Sequence, residues 1–126
     1  MKLKKVNLNF EIEPLKTPLG FKGGYLSSLW QTALLAESGT SSALGLGTQS
    51  ILWSDAGVFS SLSQAGGNAA MFSVTEYASR MLLGMETGNP IEAQEEILDE
   101  VHSFACRITN RKNLRKTFTL NSLVAL

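Results

Sequence analysis

The chain reads as an α+β domain, a three-stranded antiparallel meander followed by a helical bundle. Three observations predict this. Val6, Leu8, Phe10 and Ile12 alternate with Asn7, Asn9, Glu11 and Glu13, a period of two that turns one side of a strand to a core and the other to water. Two further runs, over about residues 29–37 and 42–48, are joined by Ser38-Gly39-Thr40-Ser41, a connection short enough for a hairpin. Beyond residue 68 the apolar positions recur every three or four residues, as helices require.

The elements follow in order. Pro14 has no N–H for a ladder, so the first strand is expected to end there. Residues 14–28 contain Pro14, Pro18, Gly20, Gly23 and Gly24 and read as a long loop, in which Phe21 and Tyr25 need a surface to cover them. Gly45 and Gly47 in the third strand let it bend or admit a close neighbour. Residues 49–59, with Trp53 and Asp55, form a second irregular stretch. Gly66-Gly67-Asn68 reads as a break, so Asn68 or Ser73 is the expected cap of a helix. Its apolar face runs Val74, Tyr77, Ala78, Met81, Leu82 and Met85, and Gly88 closes it.

Asn89-Pro90-Ile91-Glu92 opens the next helix, with Asn as cap, Pro at the first helical position and Glu where a capping box wants it. This helix is expected to bury Ile97, Leu98, Val101, Phe104, Ala105 and Ile108. Its charges run from Glu92, Glu95, Glu96, Asp99 and Glu100 to Arg107, Arg111 and Lys112, which complements the helix dipole. Residues 119–126 read as the opening turns of another amphipathic helix, with no cap or breaker to stop it. The expected division is therefore 1–118 for the domain and 119–126 for the start of a helix leading onward.

Composition narrows the function classes. The 126 residues are 44% apolar, enough for one modest core, and mean hydropathy is +0.05. Eleven basic residues balance eleven acidic ones, so no global field draws in nucleic acid or an anionic membrane. The lone Cys106 has no internal disulfide partner, which fits a reducing compartment, the cytoplasm being the simplest. The start has basic residues but no apolar block for a signal sequence, and no apolar run reaches the ~18 residues of a membrane span.

Most candidates for chemistry have a structural explanation. Gly45-x-Gly47 lacks the third glycine and helix start of a dinucleotide site. His102 has no second metal ligand near it and reads as a surface residue, while Cys106 follows Ala105 onto the buried side. Arg107, Arg111, Lys112, Arg115 and Lys116 read as a solvated face or a contact with another domain. One His and one Cys, four residues apart on one helix, assemble no nucleophilic triad. The two loops remain: Phe21, Lys22 and Tyr25 with Trp53 and Asp55 combine flat apolar surfaces with single charges, as ligand pockets do.

The succession of alternating strand, Pro/Gly-rich stretch, Ser-Gly-Thr hairpin, Gly-x-Gly strand, second loop, helices and Leu-Val-Ala-Leu ending resembles one known arrangement. It resembles the amino-terminal capping domain of the enolase superfamily, nearest to the mandelate racemase and muconate lactonising enzyme group. The resemblance spans essentially the whole chain, and implies that 1–118 is the capping domain and 119–126 leads toward a modified TIM barrel outside it. Such a barrel holds Mg2+ on three carboxylates and carries Lys or His bases that remove the proton next to a substrate carboxylate. None of those residues matches a position here, so no catalytic or metal-binding residue is expected in this chain. The two loops would instead close over a small carboxylic-acid substrate, with Phe21, Lys22, Tyr25, Trp53 and Asp55 setting specificity. The expected activity of the parent protein is that of a racemase, epimerase, cycloisomerase or dehydratase, in the cytoplasm, with its own barrel as partner and a homo-oligomer as a further expectation. The rival is a self-contained α+β module that binds a protein or small ligand without catalysis; the uncapped last helix speaks against it.

Overall fold

The computed structural model describes residues 2–21 and 24–126. Three strands, β1 (Leu3–Phe21), β2 (Gly24–Ser38) and β3 (Ser41–Gln49), form one antiparallel sheet in the order β1-β2-β3. A 3-10 turn (Ile51–Trp53) leads to α1 (Ala56–Ser61), α2 (Gln64–Met81), α3 (Pro90–Thr109) and α4 (Lys116–Ser122). The α+β class and the meander are as the alternation and the short hairpin predict.

Register explains which residues meet the helices. Leu8 pairs with Leu34, Ile12 with Trp30, Leu34 with Gly45 and Thr32 with Gly47, so these side chains share one face. The sheet packs chiefly on α2, and Ile51, Met71, Val74, Ile97, Val101, Phe118 and Leu123, drawn from the 3-10 turn and the helical layer, lie in the buried core. Phe10 stacks on Trp30 with ring centroids 4.4 Å apart, and Phe72 of α2 leans on Phe10 at 4.6 Å. A polar tie crosses the same core. The Gln49 side-chain amide donates to the Ser122 carbonyl (3.1 Å) and to the Thr75 hydroxyl, joining β3, α4 and α2.

Gly45 and Gly47 do admit a close neighbour. A Cβ on Gly45 would lie 1.9 Å from the Ala125 carbonyl oxygen, and one on Gly47 would lie 2.4 Å from Val124. Only bare backbone lets the residues after α4 rest on the strand.

Several boundaries differ from expectation. Residues 14–28 are not a loop: β1 continues through Pro14 to Phe21 and pairs with β2, through Leu19 with Leu26 and Gly20 with Tyr25. The prolines break the register without ending the strand, since residues 15–18 face the single Ser27 between the pairs Pro14–Ser28 and Leu19–Leu26. A two-stranded ribbon tolerates Pro because its outer side needs no ladder bond. Residues 49–59 are not irregular either, and form the 3-10 turn and α1, capped by the side chains of Ser50 and Asp55.

The helix expected to start at Asn68 or Ser73 starts at Gln64, with the Ser63 hydroxyl accepting from the Gly66 amide. Gly66 and Gly67 lie inside it, and Gly67 presses against Ile51, where a Cβ would come within 2.6 Å. It ends at Met81, before Gly88, and the chain turns at Gly84, whose φ of 81° suits glycine. α3 begins as expected, with the Asn89 side chain accepting from the Glu92 amide, and ends on Asn110 in the left-handed region. Ile108, expected to be buried, is exposed. α4 neither opens at Thr119 nor runs on uncapped: it spans Lys116–Ser122, and the Leu123 amide closes its last turn on the Leu120 carbonyl. Gln94 of α3 then donates to the carbonyls of Leu123 (3.3 Å) and Leu126 (3.1 Å).

Candidate functional site

The two segments singled out in the sequence lie at the same end of the molecule. Ser27 and Ser28, in the outer part of the β1–β2 hairpin, bond to Gln64 at the start of α2. Gly24 faces Phe59 of α1, whose ring would be 2.8 Å from a Cβ placed there. The hairpin end thus sits against the helical segment that follows the 3-10 turn. The bonded partners lie 36 and 37 residues apart in sequence, and folding brings them together.

Tyr25 lies on this end and is 73% exposed, so its ring is free to meet a ligand or another protein region. Leu19 and Ile12, on β1, are also largely exposed. The Phe21 backbone pairs with Gly24 and the Trp53 backbone closes the 3-10 turn, but their side chains, and Lys22 altogether, lie outside the described residues.

Asp55 differs from the others in the candidate set. Its Oδ1 accepts from the amides of Gly57 (2.8 Å) and Val58 (3.2 Å), and its Oδ2 accepts from the amide of Arg115 (3.0 Å). The carboxylate caps α1 and pins the turn before α4 in one stroke. Burial alone would raise this carboxyl, but the amides of Arg115, Val58 and Gly57 and the nearby Arg111 guanidinium outweigh it and hold the group below its ordinary value of 3.8. Arg111 also donates to the Gly57 carbonyl and the Ser61 hydroxyl, both at 2.7 Å, which ties the basic stretch to α1.

The other singled-out residues are placed as follows. His102 is half-buried, where a surface position was expected: its Nδ1 lies 2.8 Å from the Thr119 hydroxyl of α4, and the Cys106 sulfur lies 3.7 Å from its Nε2. Lys116 reaches Asp99 at 3.4 Å. Among the described residues no three His, Cys, Asp or Glu side chains gather into a group able to hold a metal ion. Among the described residues no helix is long and apolar enough to cross a membrane.

Sequence reasoning missed Gln64 and Phe59, and read Asn68 as a helix cap. The Asn68 side chain accepts from the buried amide of Ile51 (3.1 Å), so the first turns of α2 hold the 3-10 turn as well as the hairpin. Ser63, a strong cap residue three positions before Gly66, was the available signal for this earlier helix start.

No family model matches the chain, and no curated protein does. Solved structures of similar fold include a dipeptide epimerase from Enterococcus faecalis V583 complexed with Mg and the dipeptide L-Leu-L-Tyr, at 16% identity and a TM-score of 0.45 over 86% of this chain. A mandelate racemase/muconate lactonizing protein from Herpetosiphon aurantiacus matches at 14% identity and 0.47 over 98%. A substrate-liganded L-Ala-D/L-Glu epimerase from Bacillus subtilis matches at 14% identity and 0.48 over 80%. The chain spans about a quarter of each of these three proteins, 26%, 28% and 26% of their lengths.

Proposed function

We propose that this chain is the capping region of a magnesium-dependent enolase-superfamily enzyme that removes the proton next to a substrate carboxylate, as a racemase, epimerase, cycloisomerase or dehydratase. The observation that carries the proposal is the meeting of the hairpin end with the segment after β3, which makes one continuous rim from two separate stretches. A rim of this kind can cover a reaction centre in a neighbouring region and exclude water from it.

The residues described here do not fit a magnesium ion, having no cluster of three candidate ligands. Its ligands, and the acid and base groups, would belong to a barrel outside the chain, the partner on which the cap closes. The chain's own contribution is to shape the entrance. Phe21, Lys22, Tyr25 and Trp53 would face a small carboxylic-acid substrate. Asp55 would act one step back, holding the start of α1 so that the second segment keeps its course. The protein would work in the cytoplasm, as single chains or homo-oligomers.

Two measurements test this. The 126-residue chain, mixed with magnesium and a panel of racemisable or dehydratable acids, is expected to give no turnover; turnover would overturn the proposal. In the parent protein, Tyr25→Ala or Trp53→Ala is expected to change the ratio of kcat/KM between a bulky and a small acid by about tenfold or more, the scale of one lost apolar pocket contact. Unchanged ratios for both variants would remove the specificity role.

A further inference from the structure

Among the described residues, the hairpin's outer part is hydrogen-bonded to the helical layer through the Gln64 side chain. At Pro14–Pro18 the β1–β2 ladder is interrupted, four residues facing one, and two of the residues concerned have no N–H to give. Gln64 enters at this interruption. Its Oε1 accepts from the Ser27 amide (3.0 Å) and the Ser27 hydroxyl (2.9 Å), while its Nε2 donates to the Ser28 carbonyl (2.8 Å) and lies 3.1 Å from the Ser28 hydroxyl. Both ends of one amide are engaged by two adjacent residues of the strand.

The base of Gln64 is itself held. It is the first residue of α2, whose next turn packs Gly67 against Ile51 and bonds Asn68 to the Ile51 amide. A continuous path therefore runs from Ser27 and Ser28 through Gln64 and Asn68 to the 3-10 turn.

We propose that Gln64 is the positioning residue of the rim, a latch that sets the pose of the hairpin's outer half and couples it to the segment after β3. The latch is a property of the chain alone; its consequence for substrate entry rests on the capping proposal. A glutamine suits the task because a neutral amide gives and takes at once, where a carboxylate only accepts.

Residue-resolved amide exchange on the full chain tests it without substrate. In Gln64→Ala the amides of Tyr25, Leu26 and Ser27 are expected to exchange about tenfold faster or more while those of Val101 and Ala105 in α3 stay within about twofold, the pattern of a local opening. Gln64→Glu keeps the acceptor and loses the donor, so Ser27 is expected to regain protection to within about threefold of the parent chain. Acceleration of α3 in step with the hairpin in both variants, or no acceleration of the hairpin in either, would overturn the latch. Neither result bears on the specificity assay, so the two proposals fail separately.

Discussion

The sheet has two halves, divided at the proline break, and they are held by different forces. Inside the break, Val6, Leu8, Trp30 and Leu34 lie in a three-stranded region that packs on α2, with Trp30 and Leu34 closed to water. Outside it, two strands run on with Leu19 and Tyr25 exposed and Leu26 the buried exception. The inner half is fastened by packing, the outer by the hydrogen bonds of Gln64 and the contact with Phe59. Packing is shared among many partners and fails only when the domain unfolds, whereas a few polar contacts fail locally. The surface free to change or to meet a partner is thus the one that the core does not hold.

This contrast orders the expected effects of substitution. Phe118→Ala should strike hardest, because the ring is fully buried in the core and its removal leaves a cavity. A loss of about 3–5 kcal/mol in denaturant unfolding is expected; a loss under about 1 kcal/mol would mean that the inner half is not a packed core. Asp55→Ala should come next, at about 1–2 kcal/mol for a lost cap. The Asp55 contribution should also depend on pH. Its folded carboxyl ionises below 3.8, so the stabilisation is present above the unfolded value and fades as pH falls through the lowered folded one. The gap between parent and variant melting temperatures should accordingly be wide at pH 7 and narrow on acidification, and a gap that grew in acid would contradict the assigned bonds. Tyr25→Ala should do least, shifting stability by no more than about 0.5 kcal/mol, as exposed sites do. A large loss there would erase the distinction between the halves.

Much of the fold was legible in local pattern. Alternation in β1, the Gly39-Thr40 turn and the Asn89-Pro90 cap each name their element because the cause is local: side-chain period, turn chemistry or free amides at a helix start. The prolines misled for the opposite reason. Pro14 lacks a donor wherever it stands, but whether a strand ends there depends on whether a neighbour needs that donor. Gly67 misled likewise, since its need to lack a side chain follows from how closely Ile51 approaches.

The candidate site divides along the same line. Residue types alone marked the aromatic rings and the two segments that carry them. Asp55, chosen there for its charge, proved to be engaged by three backbone amides, a use that appears only when residues 57, 58 and 115 come together. Gln64 carried no signal at all, because an amide in sequence looks the same whether it faces water or bridges two elements. Sequence by itself determined period, caps and the succession of elements, all of which act over a few residues. Tertiary structure decided where the strands stop, which glycines are required and what holds the hairpin, because each depends on atoms distant in sequence and close in space.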